Sequence, residues 1–185
     1  MNVAGVFEQL RAALEAAQIP YFVTGSFVSS THGVPRSTND IDILIAPTAR
    51  QLNALLETLS PPTYYSDRED ALEAFERRAQ FNVIDNATLW KVDFIFAKDS
   101  AFDRSRFQRR RVTEIAGVKV YAATPEDVVL AKLRWAKLGE SDRQINDAAG
   151  VIRIQSSDLD IAYIESWVDA LDVRNEWGLA RQRAG

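Results

Sequence analysis

Apolar residues Val6, Leu10, Ala13, Leu14 and Ala17 recur every three or four positions, which predicts an amphipathic helix over 4–18. The run IPYFVTG (19–25) then reads as a short strand, entered through Pro20 and stopped at Gly25. SFVSSTHG (26–33) predicts a short helix with Ser26 as its N-cap and Gly33 just past its end. After the polar turn VPRSTND, the nearly all-aliphatic IDILIA (41–46) predicts a strand closed by Pro47. Leu52, Leu55, Leu56 and Leu59 form the stripe of a helix over 48–59, capped by Thr48. PPTYYS breaks the chain, and the charged run DREDALEAFERRA predicts a helix over 67–79. QFNVID (80–85) and WKVDFIFA (90–97) predict one hairpin, and RVTEIAGVKVYAA (111–123) a second that turns at Ala116-Gly117. TPEDVVLAKLRWAKL (124–138) carries a full helix start: Thr124 to cap, Pro125 at the first position, acids in the first turn. Further helices are predicted over 141–154, 158–171 and 173–183.

The order predicts an α+β (α/β) fold: a mixed sheet flanked by helices, followed by a helical C-terminal part. We place the boundary at 123/124, with a core over 1–123 and a helical subdomain over 124–185 packed on it. No Gly- or Ser-rich linker marks that boundary.

Composition narrows the function classes only modestly. The chain has 185 residues, with 46% hydrophobic and 26% charged, as in an ordinary globular protein. A net charge of −4 gives no overall pull toward nucleic acid or acidic membranes. There is no cysteine, which removes disulfides and thiolate metal sites and fits a reducing cytoplasm. The N-terminal stretch lacks the basic start and unbroken apolar run of a signal peptide, and no stretch approaches the ~20 apolar residues of a membrane span. We therefore expect a cytoplasmic protein with no membrane partner.

Against this background two aspartates stand out. Asp40 and Asp42 flank Ile41 at the start of an aliphatic strand. Residues two apart in a strand share a face, so both carboxylates project together while Ile41 and Ile43 enter the core. Paired oxygens on a rigid strand suit a hard cation such as Mg²⁺. Asp93, between Val92 and Phe94, is a third carboxylate in an apolar strand. If that strand lies beside the first, three carboxylates converge, enough to hold one or two metals, or a metal with one carboxylate left to take a proton. Gly25-Ser26, at a strand-to-helix turn, offers backbone N–H groups to a phosphate. The plainer reading of any one D-x-D is a capped turn or a solvated strand face.

The segments VTGSFVSSTHG, RSTNDIDILI and KVDFIF resemble the nucleotidyltransferase superfamily, the polymerase-beta-like fold. Its pattern is a hydrophobic-Gly-[Gly/Ser] turn, a spacer, D-x-D in a strand and a third Asp on a later strand. Gly25, Ser26, Asp40, Asp42 and Asp93 fall on those places, and Arg36 and Thr38 match an R-x-T-x-D-I-D lead-in. TPEDVVLAKLRWAKLGESDRQINDAAGVI is similar to a segment of the small bacterial abortive-infection toxin-like nucleotidyltransferases, with Lys132, Arg143 and Asp147 on matching positions. The resemblance runs from about residue 21 to about residue 154, and residues 155–185 lie outside it.

The resemblance implies transfer of a nucleoside monophosphate from an NTP to an acceptor hydroxyl, with Mg²⁺ (or Mn²⁺) as cofactor and pyrophosphate as leaving group. It assigns the metal and catalysis to Asp40, Asp42 and Asp93, and nucleotide binding to Gly25, Ser26, Arg36, Thr38 and Lys132. The acceptor is left open between a tRNA end, a protein and a small molecule, and a cognate protein partner of toxin–antitoxin type is allowed. The alternative is a non-catalytic nucleotide-binding or regulatory module with the same fold. Other residues stay ambiguous. Lys132 could reach a triphosphate or snorkel to solvent, and Arg36 could meet phosphate or pair with Asp40. His32, the single histidine, makes neither a zinc site nor a triad alone and reads as a helix-end residue. DRSRFQRRR (103–111) could grip an RNA backbone or be a charged strand edge. The tryptophans read as core or interface.

Overall fold

Strand and helix signals in the chain resolve into seven strands and the helices between them, in a computed structural model that describes residues 2–185. Two compact units divide it. One comprises the chain up to Thr24 together with Thr38–Ala122, and the other comprises Gly25–Ser37 with Ala123–Gly185. The sequence reading drew one boundary at 123/124; in the structure residues 25–37 also group with the C-terminal helices.

The first unit holds the whole sheet. Its strands are β1 (Tyr21–Thr24), β2 (Asp40–Ile45), β3 (Tyr64–Ser66), β4 (Gln80–Asp85), β5 (Lys91–Phe96), β6 (Arg111–Ile115) and β7 (Val118–Ala122). They lie in the order β3-β4-β5-β2-β1-β7-β6. β2 runs parallel to β5 and antiparallel to β1, and β1 runs parallel to β7, so the sheet is mixed as expected. Alternation decides its faces. Ile41, Ile43 and Ile45 of β2, Val92, Phe94 and Phe96 of β5, and Phe81 and Val83 of β4 are all buried. Their common face carries the stacked rings of Phe81, Phe94 and Phe96. Between the strands run α1 (Val3–Ala16), α3 (Ala49–Thr58), α4 (Arg68–Arg77) and α5 (Ala101–Arg109). α1 buries Val6, Leu10, Ala13 and Leu14 of the predicted stripe, together with Phe7, while Ala17 is the half-buried C-cap. Thr48 and Gln51 close a reciprocal capping box on α3: the Thr48 N–H donates to Gln51 Oε1 (2.8 Å) and the Gln51 N–H to Thr48 Oγ1 (3.3 Å). The β6–β7 hairpin turns on Ala116 and Gly117, both at positive φ, as a two-residue loop with the strands' own twist requires.

Two elements of this unit differ from expectation. β3 is a three-residue edge strand inside the stretch read as a break. Residues 101–109 form a helix, so most of the arginine cluster is helical rather than a strand edge.

The second unit is helical: α2 (Gly25–His32), α6 (Pro125–Gly139), α7 (Asp142–Gln155), a short 3₁₀ turn (Ser156–Asp158), α8 (Ile161–Val168) and α9 (Arg174–Ala184). Thr124 caps α6 as predicted, its Oγ1 accepting from the Asp127 N–H. The end of α2 is pressed onto α7. A Cβ on Gly33 would stand 2.8 Å from the Val151 nitrogen and 2.9 Å from the Ser29 oxygen, so only glycine fits. Two buried side chains of this unit have polar partners: Asp127 accepts from the Tyr163 hydroxyl (2.7 Å), and the Trp177 indole N–H donates to Glu165 (2.6 Å). Among the described residues no helix is long and apolar enough to cross a membrane.

Candidate active site

Period two in β2 places Asp40 and Asp42 on the same face of the sheet, opposite the isoleucines. β5 lies directly beside β2, with Asp42 opposite Asp93 and Asp40 opposite Lys91. Residues in register on neighbouring strands share a face, and the strands are about 4.8 Å apart. Asp40, Asp42 and Asp93 therefore stand together on one side of two rigid strands. Exposure falls along the row: Asp40 is exposed, Asp42 half-buried and Asp93 only 8% exposed. Thr24, the partner of Asp42 across β1, shares this face.

Three carboxylates side by side repel one another, and a cation meets them. The Lys91 ammonium donates to Asp93 Oδ2 at 2.8 Å. That hydrogen bond raises the lysine's pKa above its usual range; partial burial opposes the shift, and the charges of Asp93, Asp40 and Asp42 add to it. Counting Asp40, Asp42, Asp93 and Lys91, the face carries a formal charge of −2. Sequence reasoning passed over Lys91, although its place two residues before Asp93 in one strand forces it onto the same face.

In the second unit a different set of predicted residues converges. Lys132, on α6, is 4% exposed. Its ammonium donates to Asp147 Oδ2 of α7 at 2.8 Å and reaches the Ser26 hydroxyl at 3.4 Å. Arg36 donates from Nε and Nη2 to the same carboxylate, both at 3.3 Å, and from Nη2 to the Ser26 hydroxyl. Lys132 is thus a buried cation rather than a snorkelling one, and Arg36 pairs with Asp147 rather than Asp40. Arg36, Lys132 and Asp147 together carry a formal charge of +1, chemistry suited to an anionic group such as phosphate.

Ser26 is not the N-cap of α2. The helix opens at Gly25, whose φ of 68° is open to glycine, and the Ser26 hydroxyl joins the cationic cluster instead. Thr38, in the first unit, accepts the Asp40 N–H at 3.3 Å and so fixes the entry to β2. His32 ends α2 with Nε2 3.0 Å from the Ala123 carbonyl oxygen, and burial lowers its pKa. Two arginines of the 103–111 cluster are packed into the fold. Arg106 lies over the rings of Phe22 and Phe102, with Nη2 3.4 Å from Thr24 Oγ1. Arg110 lies over Phe107 and Tyr121.

The carboxylate face matches a hard divalent cation in donor type and in the common orientation of its three acids. As the side chains stand, no group of three or more His, Cys, Asp or Glu among the described residues is placed to hold a metal ion. Asp93 instead gives one oxygen to Lys91.

The fold is the nucleotidyltransferase-like one: a mixed seven-stranded sheet with helices, shared with solved structures at low sequence identity. The antibiotic-resistance factor ANT(2'')-Ia in solution is 14% identical, over 100% of both chains, with a TM-score of 0.58. A crystal structure of ANT(2'')-Ia with adenylyl-2''-tobramycin is 16% identical over 92% of this chain and 97% of that one, with a TM-score of 0.60. An antigenic nucleotidyltransferase-like protein from Paracoccidioides brasiliensis is 18% identical over 91% and 92%, with a TM-score of 0.50. No protein-family model matches the chain, and no curated protein matches it.

Proposed function

We propose that the protein is a metal-dependent nucleotidyltransferase. The observation that carries this reading is the register of β2 and β5, which sets Asp42 beside Asp93 with Asp40 on the same face. Asp40, Asp42 and Asp93 would hold Mg²⁺, or Mn²⁺ in its place. When bound, the ion neutralises charge on the triphosphate and on the departing pyrophosphate. Ser26, Arg36 and Lys132 supply hydroxyl and cationic groups for nucleotide phosphates, and Gly25 leaves room for close backbone approach. Thr38 orders the segment that leads into Asp40. In the reaction an acceptor hydroxyl oxygen forms a bond to the α-phosphorus while the bond to the bridging oxygen of the β-phosphate breaks. The hydroxyl proton passes to Asp93, and pyrophosphate leaves with the bond electrons. The acceptor is a hydroxyl on tRNA, a protein or a small molecule. A toxin-like role with a cognate protein partner belongs to the same proposal.

The test is incubation of the full chain with Mg²⁺ and each α-labelled NTP, in separate arms containing total RNA, total protein or small hydroxyl compounds. We expect label transfer in one arm, loss of transfer on chelating the metal, and loss of transfer in Asp42→Asn with the fold intact by circular dichroism. Saturable, metal-dependent nucleotide binding without transfer in any arm would instead make the chain a non-catalytic nucleotide-binding module. An Asp42→Asn protein that transfers label at the parent rate would remove the basis of the reading.

A further inference from the structure

Lys91 has no part in the chemistry above, yet its ammonium lies on the carboxylate best placed to perform it. The strand geometry makes this arrangement stiff. Lys91 and Asp93 are two apart on β5, Asp40 is opposite Lys91, and Asp42 is opposite Asp93. Lys91 is thereby fixed on the face of three acids, and it donates to Asp93 Oδ2 at 2.8 Å. The side chain is 40% exposed, while that of Asp93 is 11% exposed, so the ammonium has a path to solvent that the carboxylate lacks.

We propose that Lys91 is a built-in competitor for the divalent cation: it holds Asp93 Oδ2, and an ion that takes that oxygen must displace it. This inference rests on the metal-dependent reading of the three aspartates. It makes Lys91 a positioning residue, one that keeps three like charges together without metal and weakens binding of a bare ion. An ion arriving on a triphosphate brings its own ligands and depends less on Asp93. The protein should therefore take metal with nucleotide better than metal alone.

The test measures Mn²⁺ binding to the full chain by electron paramagnetic resonance, without nucleotide, in the parent, Lys91→Met, Lys91→Gln and Lys91→Arg. Removing the charge should tighten Mn²⁺ binding by about tenfold or more, equal to ~1.4 kcal/mol. Lys91→Arg, which restores a cation, should return affinity to near the parent value. Without metal, Lys91→Met should melt below the parent and recover more on adding Mn²⁺. Lys91→Gln carries the test if the methionine variant fails to fold. Equal or weaker Mn²⁺ binding by both neutral variants would overturn the proposal while leaving the metal reading intact, provided the parent binds Mn²⁺ and Asp42→Asn does not. No Mn²⁺ binding by the parent or any variant would remove both. Binding by the neutral variants alone would support the competitor role directly.

Discussion

Asp147→Asn is the substitution whose cost can be worked most directly from the structure. It removes the charge from a carboxylate to which Lys132 and Arg36 both donate. The Lys132 and Asp147 side chains are only 5% and 10% exposed, so water screens this pair poorly. Removing one partner of such a pair takes away compensation from a buried charge, at about 3–5 kcal/mol. Arg36, at 28% exposed, can turn toward solvent and adds little. Lys132→Met should cost less, roughly 1–3 kcal/mol, because Asp147 keeps Arg36 as a donor. The double variant Lys132→Met/Asp147→Asn removes both charges, so its loss should fall short of the sum of the singles by about 0.5–3 kcal/mol. For a chain of this length the Asp147→Asn loss lowers Tm by roughly 8–13 °C. Urea unfolding of the four proteins, followed by tryptophan fluorescence and far-UV circular dichroism, supplies the cycle. An Asp147→Asn protein within about 1 kcal/mol of the parent, or singles that simply add, would refute the claim that these groups form one buried network.

Two further outcomes rest on separate features of the second unit. Gly33→Ala should destabilise by about 1–3 kcal/mol, because its Cβ would meet the backbone of Ser29, Gly150 and Val151 at 3.0 Å or less. Gly150→Ala, whose nearest neighbour is the Val34 Cγ2 at 3.3 Å, should cost clearly less, and equal losses in urea would contradict the close approach. His32 is expected to make stability fall with acid. Burial lowers its folded pKa below the ordinary 6.5, partly offset by its bond to the Ala123 carbonyl and by the charge of Glu126. The unfolded chain then binds the proton more readily, so stability is complete above pH 6.5 and declines as pH drops toward the folded pKa. In His32→Gln the stability profile should be flatter below pH 6.5, and an unchanged slope would show that this ring is not its source.

How much of this was legible in the sequence depends on whether a residue's type announces its surroundings. The β2 and β5 strands were, because aliphatic residues alternate with aspartates and period two needs no tertiary information. Convergence of the three acids was not, since nothing in either segment specifies that β5 lies beside β2 or in what register. α5 went unseen for a chemical reason. Its inward positions are Phe102, Asp103 and Arg106, and Arg106 fills a core site by lying over Phe22 and Phe102 while pairing with Asp103. A hydrophobic-polar pattern scores that arginine as surface, so the amphipathic signal vanishes. β3 was lost because three residues at a sheet edge carry no measurable period. Lys132 is evenly poised between cleft and solvent in the sequence, because the deciding partner, Asp147, lies 15 residues on, in the next helix. Lys91, by contrast, is legible without tertiary information: it stands two residues before Asp93 in one strand, so period two sets it on the same face, and a lysine beside an acid that faces a metal belongs to the site on sequence grounds alone.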